Sequence, residues 1–344
     1  MHLYSDDRKY EFVANSKMQS MTTSCTIIIF NYESLPFLRA CVKQIIKYKH
    51  PKINHKIIIS EQSCEDTYNK VVMEFGNNDD ITIVRMKAIC SGYAIDYIIR
   101  FVDLKTEYIC CLDCDAFPIN KNWLYAPIKL IQENNFSFVG HHADEGRVSG
   151  WKSFEDAYSK YGNYFHVAQC FRVGKKEDFE HLSLNAGFTK AVNFRDWIEF
   201  KAFPNKEWFE VAKERGLDGY ADSGVIAHWW EDRTTRNNKF TFAETACLGI
   251  APKQGRYGRV FDNMVFHLMF SFNHTQLGGA KEENMGNDYM KWIEKINNGF
   301  TDELINEMLK AVNPINIPRL FWDGKTISLP SEKLNNRINE LINA

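Results

Sequence analysis

Runs of uninterrupted apolar residues alternate with stretches of helical periodicity along the first third of the chain. Ser24 to Phe30 is a β-branched run that ends at the polar turn Asn31-Tyr32-Glu33-Ser34, and it reads as a strand. Leu35 to Tyr48 then repeats Leu38, Cys41, Val42, Ile45 and Ile46 at helical spacing. Ser34 is placed to cap that helix, and Pro36 falls in its first turn, where proline is tolerated. The same pattern predicts strands at Lys56 to Ile59, Ile81 to Arg85 and Glu107 to Leu112, with helices at Glu65 to Phe75 and Tyr93 to Val102. Strand and helix in this rhythm imply right-handed βαβ units around a mostly parallel sheet, an α/β fold of the Rossmann-like kind. The strands are apolar almost throughout, as expected where helices cover both faces. Ligands of such folds bind beyond the carboxyl ends of the strands.

The pattern loosens after Gly140, where His141, His142, Asp144 and Glu145 suggest a long loop with solvent-exposed histidines. Val167 to Val173 returns to strand character, and Asn205 to Arg215 and Ser223 to Trp230 read as helices. Beyond Gly278-Gly279 come short, polar helix candidates at Asp288 to Ile296, Thr301 to Val312 and Glu332 to Ile342. The expected organisation is therefore a polar tail (1–22), one α/β domain (23–275) and a small helical C-terminal extension (276–344). Within the domain, the regular rhythm covers 23–124 and the looser pattern 125–275.

Composition narrows the function classes. With 44% hydrophobic and 25% charged residues the chain is a folded globular protein, not a disordered one. A net charge of −2 argues against a broad nucleic-acid surface. The longest apolar runs are strand-sized, so no transmembrane segment is expected, and the polar start lacks the apolar stretch of a secretory signal. Nine scattered cysteines read as reduced and mostly buried. Together these point to a cytoplasmic location, with peripheral membrane association left open.

Common nucleotide and metal motifs are missing. No glycines are spaced G-x-G, no Walker A loop occurs, and no HExxH is present. Cys111-Leu112-Asp113-Cys114 has the form C-x-x-C but lacks a second pair. What remains is Asp113-Cys114-Asp115, the one Asp-x-Asp in the chain, at the end of the strand Tyr108 to Leu112. Two carboxylates at that edge can hold Mg²⁺ or Mn²⁺ with positions left for diphosphate oxygens. They can equally be turn formers before Ala116-Phe117-Pro118.

Four segments in order decide between these readings. Ser24 to Tyr32, Ile57 to Ser63, Gly92 to Tyr97, and Tyr108 to Asp115 with Phe117-Pro118 and Trp123-Leu124 resemble the GT-A fold glycosyltransferases of the family-2 type. The resemblance implies a metal-dependent transfer of a sugar from a nucleoside-diphosphate sugar (UDP favoured, GDP possible) to a glycan, protein or small-molecule acceptor. It makes 23–124 the nucleotide-binding half and 125–275 the acceptor half, and assigns donor binding to Phe30, Asn31, Tyr32, Glu61, Gly92, Asp96, Asp113, Cys114 and Asp115. Mn²⁺ or Mg²⁺ would sit on Asp115, His267 and Asp113, and Asp222, or else Asp218, would be the general base of an inverting reaction. Two departures stand out: Ser60, Glu61 and Gln62 replace the usual base-binding Asp, and Tyr97-Ile98 stand where relatives carry Arg-Asn. Trp229-Trp230 is a candidate sugar platform, while Arg233, Arg236 and Lys239 form a basic stretch that could neutralise the leaving diphosphate, with a solvated loop as the default reading. Two alternatives remain. A sugar nucleotidyltransferase would need a glycine-rich N-terminal loop, yet no glycine precedes Gly76; a non-catalytic carbohydrate- or nucleotide-binding relative would retain the fold alone.

Overall fold

A computed structural model describes residues 23–86, 91–142, 167–185, 238–251, 255–268, 302–323 and 326–344, with a few positions between 292 and 299. In its first part the predicted rhythm is present: β1 (Thr23–Asn31), α1 (Leu35–Lys47), β2 (Ile53–Glu61), α2 (Glu65–Phe75), β3 (Ile81–Arg85), α3 (Ser91–Phe101) and β4 (Tyr108–Asp113). Strand β1 pairs in parallel with β2 on one side and β4 on the other, and β2 with β3. Alternate residues of β1 enter two separate cores: Ile27 and Ile29 meet Leu38, Cys41 and Ile45 of α1, while Ile28 and Phe30 meet Ala94, Ile95 and Ile98 of α3. That double cover is why every residue of β1 after Thr23 is buried. Ile46, expected on the buried face of α1, is 53% exposed instead, since the helix face that touches the sheet ends at Ile45.

The sheet continues through β6 (Phe138–His142), β7 (Val167–Lys175), β8 (Lys239–Thr241), β13 (Leu320–Trp322) and β14 (Ile327–Ser328), in the order β14-β13-β8-β6-β7-β4-β1-β2-β3. Seven of the nine strands point the same way; β7 and β13 run against them. Gly140 makes the β6–β7 contact possible: a Cβ there would overlap the Phe171 carbonyl oxygen and stand 3.0 Å from Arg172 Cα. Helices α4 (Tyr125–Asn134) and α5 (Lys176–Asn185) complete this layer.

A second, antiparallel sheet has the order β12-β9-β10-β11-β5, built from β5 (Ala116–Pro118), β9 (Glu244–Ala251), β10 (Gly255–Phe261), β11 (Val265–Leu268) and β12 (Asn313–Ile317). The C-terminal segment supplies the expected helices, α6 (Asp302–Ala311) and α7 (Glu332–Asn343), but also strands β12, β13 and β14, which join both sheets. Helix α7 is capped by Ser331 Oγ accepting from Leu334 N, and docks on α4 through Arg337 and Glu133 at 2.7 Å. Arg319, between β12 and β13, grips Asp262 with two hydrogen bonds of 2.9 and 2.8 Å. Asp262 and Asn263 form the β10–β11 turn, both at positive φ (43° and 54°). The C-terminal segment thus fixes the hairpin that carries His267.

The eight described cysteines are free thiols, and all but Cys64 are buried. No described helix is long and apolar enough to cross a membrane.

Candidate metal and donor site

The site assembles where β1, β2 and β4 end. Strand β4 delivers Asp113, the chain turns at Cys114 and Asp115, and β5 begins at once. Strand β11 lies antiparallel to β5 with His267 opposite Ala116, and Leu268 N donates to the Asp115 carbonyl at 2.9 Å. Backbone pairing therefore holds His267 beside the acidic pair. Its Nε2 lies 3.3 Å from Asp115 Oδ1 and 3.7 Å from Asp113 Oδ2. One ligand atom from each of the three falls within 4.8 Å of the others. Asp115 and His267 side chains are 9% and 3% exposed, whereas Asp113 keeps 35%, so the cluster opens at Asp113. Carboxylate oxygens and one imidazole suit a hard or borderline divalent ion such as Mn²⁺ or Mg²⁺, and three protein ligands leave positions for a further ligand.

The other predicted residues divide by what they touch. Phe30 and Cys114 turn their side chains into the cores. Burial, followed by the neighbouring Asp115 and Asp113 charges, pushes the Cys114 thiol well up, so it stays protonated. Only its backbone can meet a ligand. Glu61 is fully buried at the end of β2, where Oε2 accepts from Asn31 Nδ2 at 2.6 Å and Oε1 from Ser63 N at 2.8 Å. Burial raises its carboxyl, and those two hydrogen bonds oppose the rise. Asn31 Oδ1 is buried and has no hydrogen-bond partner among the described residues. Tyr32 is half-buried next to it. Gly92 is buried at the start of α3, and Asp96 is buried one turn on, accepting from Ser183 Oγ of α5 at 2.8 Å. Asp96 thus joins α3 to α5.

Several residues at the site carried no sequence signal. Glu33, at φ 50°, accepts from Cys64 N and from Thr67 Oγ1 (2.6 Å), which ties the loop after β1 to the loop after β2. Burial works against its charge, but these hydrogen bonds win and hold Glu33 below the usual carboxylate range. Gln169 at the start of β7 accepts from Ser91 Oγ at 2.7 Å, and its buried Nε2 has no partner among the described residues. His141, expected in solvent, is 3% exposed. Its ring lies 4.0 Å from that of Phe261 and 6.1 Å from that of His267. His141 Nδ1 is 2.7 Å from Cys170 Sγ, and Nε2 is 3.3 Å from Arg259 Nη1, which also stands 3.6 Å from Glu244 Oε2. His141 lies in β6 where its pairing with β7 is irregular, between Gly140 and His142, and it is met there by Cys170 and by Arg259 of β10, which pairs opposite His267. Lys239 is likewise not in a solvated basic loop but fully buried in β8, between β6 and β13.

Asp218, Asp222, Trp229, Trp230, Arg233 and Arg236, and the helices expected at 205–215 and 223–230, lie outside the described residues, as does the His142 side chain.

Comparison with known proteins gives one family. Residues 26–191 match the profile of glycosyl transferase family 2. Comparison with curated sequences finds no match. Among solved structures the chain is similar to the mannosyltransferase PcManGT from Pyrobaculum calidifontis in complex with GDP-Man and Mn²⁺. The two share 16% identity at a TM-score of 0.36, over 49% of this chain and 48% of that one. It is also similar to the galactosyltransferase LgtC with donor and acceptor sugar analogues (10%, TM-score 0.39, 60% and 70%). A third is GalNAc-T7 with UDP, GalNAc and Mn²⁺ (15%, TM-score 0.35, 46% and 36%). The match thus spans about half of the mannosyltransferase and a smaller share of GalNAc-T7.

Proposed function

We propose that this chain, a family-2-like glycosyltransferase by its match over residues 26–191, takes a sugar from a nucleoside-diphosphate sugar held through a divalent ion on Asp113, Asp115 and His267. The observation that carries the proposal is the meeting of these three residues, from two different sheets, at the carboxyl edge of the parallel strands. A bound Mn²⁺ or Mg²⁺ would supply positive charge where the departing diphosphate becomes more negative. The protein's part is to fix the ligands before the donor arrives. Asp115 is anchored through its carbonyl, and His267 by its strand pairing. The more open Asp113 faces the entry side and suits contact with the ribose or the metal's outer sphere.

At the base end, Asn31 Oδ1 offers an acceptor that a nucleobase N–H would satisfy, while Glu61 orients the Asn31 amide and is itself consumed in doing so. That division of labour accounts for the absence of the usual Asp. UDP is the favoured nucleotide and GDP the second. Asp222, with Asp218 as its substitute, enters as general base for an inverting transfer on sequence alone.

The experiment is a thermal-shift panel of UDP-, GDP-, TDP- and CMP-sugars with and without Mn²⁺, followed by donor hydrolysis. A ligand at 100 times its Kd stabilises the fold by about 2.7 kcal/mol, a readily measured rise in melting temperature. One nucleotide class should stabilise the protein in a Mn²⁺-dependent way. Failure of every sugar nucleotide, with and without metal, would refute the transferase reading.

A further inference from the structure

His267 belongs to two clusters. Besides the Asp113–Asp115 group, one nitrogen of His267 lies within 4.8 Å of a ligand nitrogen of His141 and of Cys170 Sγ, and all three residues are buried. The second cluster has a different chemical character. Two imidazoles and a thiolate form a soft, nitrogen–sulfur set that favours Zn²⁺ over Mn²⁺ or Mg²⁺, which favour the carboxylate set.

Protonation at His141 follows from its neighbours. Arg259 can only donate, so His141 Nε2 accepts from it, and the ring proton sits on Nδ1, directed at Cys170 Sγ 2.7 Å away. His141 is the penultimate residue of β6, Cys170 lies in the middle of β7, and Gly140 permits the close approach of the two strands.

We propose that His141, Cys170 and His267 form a second, soft-cation site that takes Zn²⁺ and withdraws His267 from Asp113 and Asp115, so that zinc antagonises the Mn²⁺-dependent reaction. Balance is maintained within the cluster. Zn²⁺ on Nδ1 sends that ring proton to Nε2, which breaks the contact with Arg259 Nη1, and the guanidinium turns fully to Glu244, already 3.6 Å away. Any proton on Cys170 leaves to solvent. The Nδ1–Sγ separation opens from hydrogen-bond distance by about 1 Å to admit an ion at Zn–N and Zn–S bond lengths.

Only the antagonism rests on the transferase reading; ion binding stands apart from it. The test is therefore in two parts. Co²⁺ is titrated into the intact chain, with thiolate-to-cobalt charge-transfer absorption as the signal. Wild type and Cys64→Ser (the exposed thiol) should each develop the band at one equivalent, while Cys170→Ser and His141→Gln, checked for wild-type melting temperature, should lose it. Retention of the band in Cys170→Ser overturns the site whatever the enzyme does. In the second part, Zn²⁺ is titrated against Mn²⁺-supported donor turnover. Wild type should be inhibited at zinc concentrations at least about tenfold below those needed for Cys170→Ser. Equal inhibition of the two proteins overturns the antagonism. A Co²⁺ band with no turnover of any donor would leave the soft site standing and sink the transferase reading instead.

Discussion

Replacing Arg319 by Met tests whether the C-terminal segment holds the His267 hairpin in place. Arg319 and Asp262 side chains are 12% and 5% exposed, and the pair is bidentate at 2.9 and 2.8 Å. Arg319 also donates to Asn335 Oδ1 at 3.2 Å and Asn339 Oδ1 at 2.8 Å, so its loss frees α7 as well. Breaking a buried pair from one side costs about 3–5 kcal/mol, mostly because the surviving charge stays buried without its partner. Asp262 retains one donor, Ala243 N at 2.9 Å, which puts the expected cost near the lower end, about 3 kcal/mol. Urea unfolding should show that loss as a lower midpoint. The double variant Arg319→Met/Asp262→Asn should lose less than the sum of the two single changes, because the second change removes the charge that the first strands. A single-variant loss below about 0.5 kcal/mol, the usual range for surface substitutions, would show that Arg319 does not hold the hairpin. So would strict additivity in the cycle.

Three further outcomes follow from the same contacts. Gly140→Ala forces β6 away from the Phe171 carbonyl and should cost about 1–3 kcal/mol as an overpacked site, with perturbed His141 and Cys170 signals; unchanged stability would contradict the close approach. Burial lowers the His55 pKa to about 4, so unfolded chains take up a proton near pH 6.5 while folded ones resist until about pH 4. Stability carried by neutral His55 is complete above pH 6.5 and falls by about 3 kcal/mol on acidification through that window, and His55→Gln should flatten this part of the pH–stability curve. Glu33, held below the usual range, contributes stability above pH 4.3 or so that is lost as pH falls through its folded pKa. Glu33→Gln should therefore be less stable than wild type at neutral pH and match it in acid.

The parallel half was readable because each of its elements announces itself locally. Apolar runs such as Ile27-Ile28-Ile29 and the periodic face of α1 need no distant partner to be recognised. Most of the second sheet was not readable. Its strands are short or carry buried polar residues, such as Glu244, Arg259 and His267, whose burial makes sense only once they meet one another. Asp113, Asp115 and His267 could be nominated from spacing and family resemblance, but the strand pairing that joins them spans about 150 residues of sequence. His141 was misread for a similar reason. It follows a glycine in a polar stretch, and nothing local reveals that Cys170, Arg259 and Phe261 close around it. Lys239, too, looks like loop charge until β8 finds its place between β6 and β13.

The proposed divalent-ion site on Asp113, Asp115 and His267 depends on the convergence of the two sheets. Mn²⁺ affinity, read by electron paramagnetic resonance of the free ion in the presence of UDP, addresses it most directly. The wild-type chain should bind one Mn²⁺, with affinity weakened about tenfold or more in both Asp115→Asn and His267→Ala, each folded by its melting curve. Wild-type Mn²⁺ affinity in either variant would rule out the three-residue site.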